Sequence, residues 1–264
     1  MNKETLYIVK IGGNVVDDET ALQQFLADFA SLKGHKILVH GGGKIASQVA
    51  QKLGIEVNMV NGRRITDAAM LDVAVMVYAG LANKNIVAKL QALQCNAIGL
   101  SGADANCITA HKRKHPEIDF GFVGDIDSIN TSAFAPLLNG GLTPVLSAIT
   151  HDNNGQLLNT NADTIAAALA VAFADLYNVH LIYCFEKNGV LQNVEDENSV
   201  IPFINLDLYR ELKQQNVIAQ GMLPKLDNAF DAVQSGVQKV IIGHSAQLVY
   251  LTQQNHHAGT LISN

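Results

Sequence analysis

Val39-His40-Gly41-Gly42-Gly43-Lys44 is the stretch from which the fold can be read outward. It follows the apolar run Ile37-Leu38-Val39 and opens a helix-like segment, Ile45 to Leu53. A strand that ends in three glycines and turns into a helix leaves backbone N–H groups accessible at the positive end of a helix dipole. That is a site for an anionic oxygen. It is not a P-loop, because Lys44 is followed by Ile45 where a Ser or Thr is needed. Gly41-x-Gly43-x-x-Ala46 can be read as a relaxed dinucleotide fingerprint, but the next strand ends near Asn61 without a carboxylate for a ribose. One glycine would be read as a tight turn; three together favour anion binding.

Outward from this turn the chain alternates strands and helices. Leu6 to Ile11 is a buried-type strand stopped by Gly12-Gly13, and Lys10 near its end is a cation delivered to a strand edge. Asp17 to Ser31 has helical spacing, with Ala21, Leu22, Phe25, Leu26 and Phe29 on one face. This rhythm predicts parallel strands with helices on both faces. Glu56 to Val60 reads as a short strand, Asn61-Gly62 as a turn, and Thr66 or Asp67 as the cap of a long helix from Ala68 to about Leu93. Met70, Val73, Val77 and Leu81 make that helix a candidate dimer surface, with core as the default. Thr131 to Asn139, Ile165 to Phe173, Leu206 to Gln214 and a segment from Gln220 to Gly236 read as further helices. Lys239 to Gly243 reads as the last clear strand.

At 264 residues, 48% hydrophobic and 16% charged, the chain is long enough for one large α/β domain or two lobes with an ample core. A net charge of −6 argues against a nucleic-acid partner. Cys95, Cys107 and Cys184 are scattered and odd in number, which suggests reduced cytosolic thiols without a disulfide framework or zinc site. No uninterrupted apolar stretch approaches the roughly 20 residues of a membrane span, and no metal-ligand cluster stands out. A cytoplasmic protein with no membrane partner is expected.

Asn159-Thr160-Asn161-Ala162-Asp163 carries more polar groups than a helix cap needs, which keeps Asn159 and Asp163 as site candidates. Glycine N–H donors, lysines on different elements and an aspartate able to pair with them suit phosphoryl transfer. That reaction needs charge neutralisation and alignment with little covalent help from the protein.

On Val9-Lys10-Ile11-Gly12-Gly13, Val39 to Gly43, Asn61-Gly62-Arg63-Arg64-Ile65-Thr66, Ala82-Asn83-Lys84, Gly99 to Gly102, Gly121 to Gly124, Asn159 to Asp163 and Gly221-Met222-Leu223-Pro224-Lys225, the sequence resembles the amino acid kinase family. The match runs almost end to end in order and spacing. The glycine triplet is shared across that family, whereas Asn-Gly-x-Arg-x-Thr and Asn-x-Asn-Ala-Asp are specific to the branch acting on N-acetyl-L-glutamate. The resemblance implies a three-layer α/β/α sandwich with a mostly parallel central sheet. Residues 1–173 would form a lobe for acylglutamate binding and dimerisation, and residues 174–264 a lobe for ATP.

It also implies transfer of the ATP γ-phosphate to the substrate's side-chain carboxylate, in arginine biosynthesis. Lys10 and Lys225 would stabilise the moving phosphoryl group and Asp163 would hold the lysines. The N–H groups of Gly13, Gly42 and Gly43 would meet the reacting oxygens, with Gly41 beside the phosphate. Arg64 and Asn159 would hold the α-carboxylate and neighbouring amide, while Arg63 is read as an ordinary surface arginine. Mg2+ would arrive bound by the ATP phosphates, with no protein metal site.

The nucleotide loop departs from the family's Ser/Thr-Asp-x-x-Gly, reading Phe185-Glu186-Lys187-Asn188-Gly189. Its candidate nucleotide contacts are Glu186, Lys187, Gly189 and Leu191. The acyl group is open between N-acetyl and N-succinyl. Sister kinases and a non-catalytic metabolite sensor are the rivals. Arginine-inhibited members carry an extra N-terminal helix that joins dimers into hexamers; with the first strand starting at Leu6, a homodimer without arginine feedback is expected.

Overall fold

The computed structural model describes residues 3–60, 63–215, 217–218, 222–253 and 258–263. The chain forms two compact units, Met1–Lys36 with Ala166–Asn264, and Ile37–Ile165. The first strand belongs to the same unit as the C-terminal segment. Thr5–Ile11 pairs in parallel with Asn178–Phe185 along its whole length, which commits it to that unit whatever its place in the sequence.

In the first unit the strand order is Phe203–Ile204, Thr260–Ile262, Lys239–His244, Asn178–Phe185, Thr5–Ile11. All pairings are parallel except Lys239–His244 with Thr260–Ile262. Thr260–Ile262 lies beyond the strand read as the last from the sequence. Its three residues are too few to carry a periodic signal. Leu22, Phe25, Leu26 and Phe29 of the helix Glu19–Ser31 are buried as the helical spacing predicts, and Asp18 caps that helix by accepting from the Ala21 N–H at 2.9 Å.

In the second unit residues 37–40 of the strand His35–His40 run parallel with Thr143–Ser147, which in turn runs parallel with Ala97–Leu100. Beside them Leu157–Thr160, Val123–Ile129, Ile108–Lys112 and Ile149–His151 close into a small barrel, a feature that the sandwich expectation does not contain. The segment read as a strand from Glu56 is extended and paired only at Met59–Val60, opposite Arg63–Arg64. The turn at Asn61-Gly62 lies outside the described residues.

The long helix is present as Ala68–Val75, a π-helical stretch Met76–Ala82, and Asn83–Ala92. Asp67 caps it through the Met70 N–H at 2.8 Å, so Thr66 is left for another task. Met70, Val73 and Val77 are buried within the chain, while Met76 and Leu81 are about half exposed. The proposed dimer stripe is therefore mostly core. By length and composition Ala68–Ala92 could cross a membrane, and half of its apolar window is buried inside the protein. Cys95, Cys107 and Cys184 are all buried free thiols.

Candidate active site

The glycine turn takes its shape from a buried strand and an uncapped helix. His35–His40 is buried along five of its six residues, and the helix Gly43–Lys52 starts directly after Gly42 with no side-chain cap. Its first N–H groups therefore remain available for a ligand. A Cβ at Gly41 would meet nothing within 4 Å, so protein packing does not explain that glycine. Gly42 differs: a Cβ there would lie 2.9 Å from Tyr78 Cδ1. Packing against Tyr78 requires the second glycine, and the open space beside the first suits close approach of a ligand.

Arg64 is fastened to this turn. Its Nη2 donates to the Gly43 carbonyl at 2.9 Å and to Ser47 Oγ at 2.8 Å, and Nη1 lies 3.8 Å from Met70 Sδ. Burial raises the Tyr78 hydroxyl above its ordinary pKa, and the neighbouring Arg64 charge opposes the shift without overcoming it. Tyr78 is thus a neutral phenol beside a cation. It sits on the π-helical stretch, where the Asn83 N–H bonds back five residues to the Tyr78 carbonyl. That wider turn brings Tyr78 and Asn83 toward the same side of the helix, a distortion frequent at functional sites.

Asn159 lies in the strand Leu157–Thr160 and donates its side-chain amide to Thr66 Oγ1 at 3.0 Å. Thr66 is fully buried and in turn donates to the Arg64 carbonyl at 3.4 Å. The two residues expected to hold the substrate are therefore joined through one hydroxyl. Gly121 supports the same point: its Cα packs onto the Thr66 carbonyl at positive φ (69°), where any Cβ would collide with that oxygen.

Asn161 caps the helix Ala162–Phe173, accepting from the N–H groups of Asp163 (2.8 Å) and Thr164 (3.1 Å). The cap is thereby assigned, and Asp163, in the first turn and 8% exposed, is not needed for it.

In the other unit Lys10 stands opposite Tyr183 near the end of its strand, 8% exposed. Burying a lysine against apolar neighbours is unfavourable unless anions compensate it. The Gly12 N–H continues the strand ladder to the Cys184 carbonyl at 2.9 Å, and Gly13 opens the short helix Gly13–Asp17. A Cβ on Gly13 would meet nothing within 4 Å, so it too is not a packing glycine. Asn14 Nδ2 donates to Glu186 Oε1 at 2.8 Å, tying this helix to the nucleotide-loop candidates.

Lys187 pairs with Glu197 at 3.1 Å on the surface. Gly189 and Leu191 have structural partners of their own. A Cβ on Gly189 would come within 2.8 Å of Thr260 Oγ1 and Val200 Cγ1, and Leu191 is buried and bridges to Val200. Lys225 is the third residue of the helix Leu223–Gln234, half-buried beside Pro224. Gly221 and the Arg63 side chain lie outside the described residues. No group of three or more His, Cys, Asp or Glu side chains placed to hold a metal ion occurs among the described residues.

His40, Asn14, Ser47, Thr66, Tyr78 and Asn83 were not singled out from sequence as site-forming groups. Polar residues at positions patterned as core, such as His40 and Asn83, were the available signal.

A model of the amino acid kinase family matches residues 5–244. The chain is 55% identical over 263 residues to an acetylglutamate kinase of Cytophaga hutchinsonii, covering 99% of this chain and 100% of that one. It is 50% identical over 260 residues to an acetylglutamate kinase of Phocaeicola vulgatus, with 98% and 99% coverage. Among solved structures, N-acetylglutamate synthase from Neisseria gonorrhoeae complexed with coenzyme A and N-acetyl-glutamate aligns with a TM-score of 0.83 at 21% identity. The alignment covers all of this chain and 60% of that one. Carbamate kinase from Giardia aligns at 0.68 and 12% identity, covering 99% of each chain, and both likenesses concern the fold alone. The glycine turn, the mostly parallel sheet and the family match over 5–244 agree: the chain belongs to the amino acid kinase family.

Proposed function

We propose that the protein is an ATP-dependent kinase that phosphorylates the side-chain carboxylate of N-acetyl-L-glutamate, giving N-acetyl-L-glutamyl 5-phosphate and ADP, the second step of arginine biosynthesis. The observation that carries this reading is the full-length 55% identity to an acetylglutamate kinase. The Arg64–Thr66–Asn159 linkage supports it, since it assembles a carboxylate and amide binder from the branch-specific motifs.

In this reading a substrate carboxylate oxygen attacks the γ-phosphorus in line as the bond to the ADP oxygen breaks. The nucleophile carries no proton to lose, so no general base is required. Lys10 and Lys225 neutralise charge on the equatorial phosphoryl oxygens, and Asp163 orients the lysines. N–H groups of Gly13, Gly42 and Gly43 donate to the reacting oxygens, with Gly41 beside the phosphate. Arg64 and Asn159 hold the α-carboxylate and amide of the substrate.

Glu186, Lys187, Gly189 and Leu191 border the nucleotide, the last two by shaping the loop. Mg2+, carried in on the triphosphate, supplies further charge neutralisation when bound. We assign acylglutamate binding and dimer contacts to residues 1–173 and ATP binding to residues 174–264. The active form is a cytoplasmic homodimer.

A coupled assay of ADP release with N-acetyl-L-glutamate, N-succinyl-L-glutamate, L-glutamate and L-aspartate tests the assignment. Turnover is expected with the N-acetyl compound and little with the unacylated ones. Preference for N-succinyl-L-glutamate would change the substrate, and no turnover with any would favour a sensor. Sedimentation at micromolar concentration should give twice the chain mass.

A further inference from the structure

His40 is completely buried at the end of the strand that feeds the glycine turn, and both of its ring nitrogens are engaged. Nδ1 lies 2.7 Å from the Gly41 carbonyl oxygen, which can only accept. Nε2 lies 3.0 Å from Asn83 Nδ2. The Asn83 amide is itself oriented by unambiguous partners. Its Nδ2 donates to the Val145 carbonyl at 2.9 Å, and its Oδ1 accepts from the Lys84 ammonium at 3.2 Å. Lys84 also donates to the Gly99 carbonyl at 3.1 Å. The chain of donors runs one way, from Lys84 through Asn83 and His40 to Gly41.

We propose that His40 is a positioning residue for the reaction, held as the neutral Nδ1–H tautomer by Asn83 so that it fixes the Gly41–Gly42 peptide and thereby aims the Gly42 N–H. This rests on the function proposed above. The peptide is planar and trans, so holding its carbonyl from one side sets the Gly42 N–H on the opposite side. Tyr78 packs against Gly42 itself, and the π-helical stretch presents both Tyr78 and Asn83 to the turn. A proton on Nε2 would face the Asn83 NH2 donor-to-donor. Burial, with the Lys84 charge adding to it, holds the imidazole pKa down to about 4 against the pull of the Gly41 carbonyl. The ring therefore neither gives nor takes a proton during turnover; it transmits orientation.

Two substitutions separate orientation from filling space. In His40→Asn the amide nitrogen can occupy the Nδ1 position and keep the bond to Gly41. In His40→Gln the amide reaches the Nε2 position and keeps only the contact with Asn83. With both variants shown to be folded by near-ultraviolet circular dichroism, His40→Gln should lose about 100-fold in kcat, the scale of losing one oriented oxyanion donor. His40→Asn should stay within roughly tenfold of wild type, with an unchanged pH profile.

Nitrogen-15 NMR of the wild type, with no substrate present, should show the proton on Nδ1. Asn83→Asp, whose carboxylate can only accept when ionised, should add a proton on Nε2 while the Nδ1 proton stays on the Gly41 carbonyl. Full activity of His40→Gln, equal loss in both His40 variants, or an Nε2–H tautomer in the wild type would each overturn the proposal. If the wild type lacks N-acetylglutamate kinase activity, the function is wrong, and the NMR measurement still reports on His40.

Discussion

Asn159 and Thr66, 93 positions apart in the sequence, meet through a 3.0 Å hydrogen bond from the Asn159 amide to the Thr66 hydroxyl. Thr66 has no solvent exposure and also donates to the Arg64 carbonyl, so one small side chain sets the spacing of two expected substrate contacts. Thr66→Val keeps the shape and removes the hydroxyl. Losing one net hydrogen bond of ~1 kcal/mol at a substrate-holding side chain should raise the KM for N-acetylglutamate about fivefold. The KM for ATP should not move. Steady-state kinetics with each substrate varied in turn checks this, and an unchanged acylglutamate KM would remove Thr66 from the binding apparatus.

Lys225 is half-buried in the first turn of the helix Leu223–Gln234. Lys225→Ala should unfold at nearly the wild-type temperature yet lose about 100-fold or more in kcat, because charge stabilisation of the phosphoryl group disappears. Lys10→Met, which removes the ammonium from a site 8% exposed, should be equally inactive. Near-normal turnover in Lys225→Ala would defeat the mechanism.

Gly42→Ala would press a methyl to 2.9 Å from the Tyr78 ring, which must shift. Overpacking of this kind costs about 1–3 kcal/mol. Adding Tyr78→Leu should recover part of that stability, because the clash is with this one ring. Urea unfolding of the two single variants and the double variant forms the cycle, and strictly additive effects would exclude the contact as the cause.

His40 also predicts how stability depends on pH. Its folded pKa is about 4 against an ordinary 6.5, chiefly through burial. Between those values the unfolded chain binds a proton that the native state refuses. Stability from this group is therefore present above about pH 6.5, falls as the pH drops toward 4, and levels off below, by ~3 kcal/mol in all. His180, whose pKa burial and the Lys239 charge also lower to about 4, adds in the same direction. Urea midpoints at about pH 7.5 and about pH 5 should converge more in His40→Asn than in wild type. Equal acid sensitivity of the two would show that His40 is not buried neutral.

The Lys187–Glu197 pair, with side chains 35% and 64% exposed, should contribute almost nothing to stability. Lys187→Ala is expected to leave the unfolding temperature unchanged and to raise the KM for ATP, with the acylglutamate KM constant. No effect on either KM would leave the nucleotide loop to Glu186, which Asn14 holds at 2.8 Å.

The sequence by itself determined the features written in local chemistry. The strand, glycine turn and helix around Gly41–Gly43 follow from apolar runs and backbone freedom within about fifteen residues. So do the helix Leu206–Gln214 and the apolar face of Glu19–Ser31. The branch motifs named Arg64, Asn159 and Asp163 because residue type and spacing survive on a linear chain.

Only the tertiary structure decided which side chains meet. Thr5–Ile11 joins the C-terminal unit through its register with Asn178–Phe185, and four short strands close a barrel that no periodicity announces. Thr66 passed from a possible cap to the junction of Arg64 and Asn159, and Gly42 and Gly121 became obligatory through single neighbours. His40 gained a tautomer from Asn83, 43 residues away. Such pairings depend on strand register and helix phase, and the π-helical stretch at Met76–Ala82 alters that phase in a way that a hydrophobic pattern of period 3.6 cannot express.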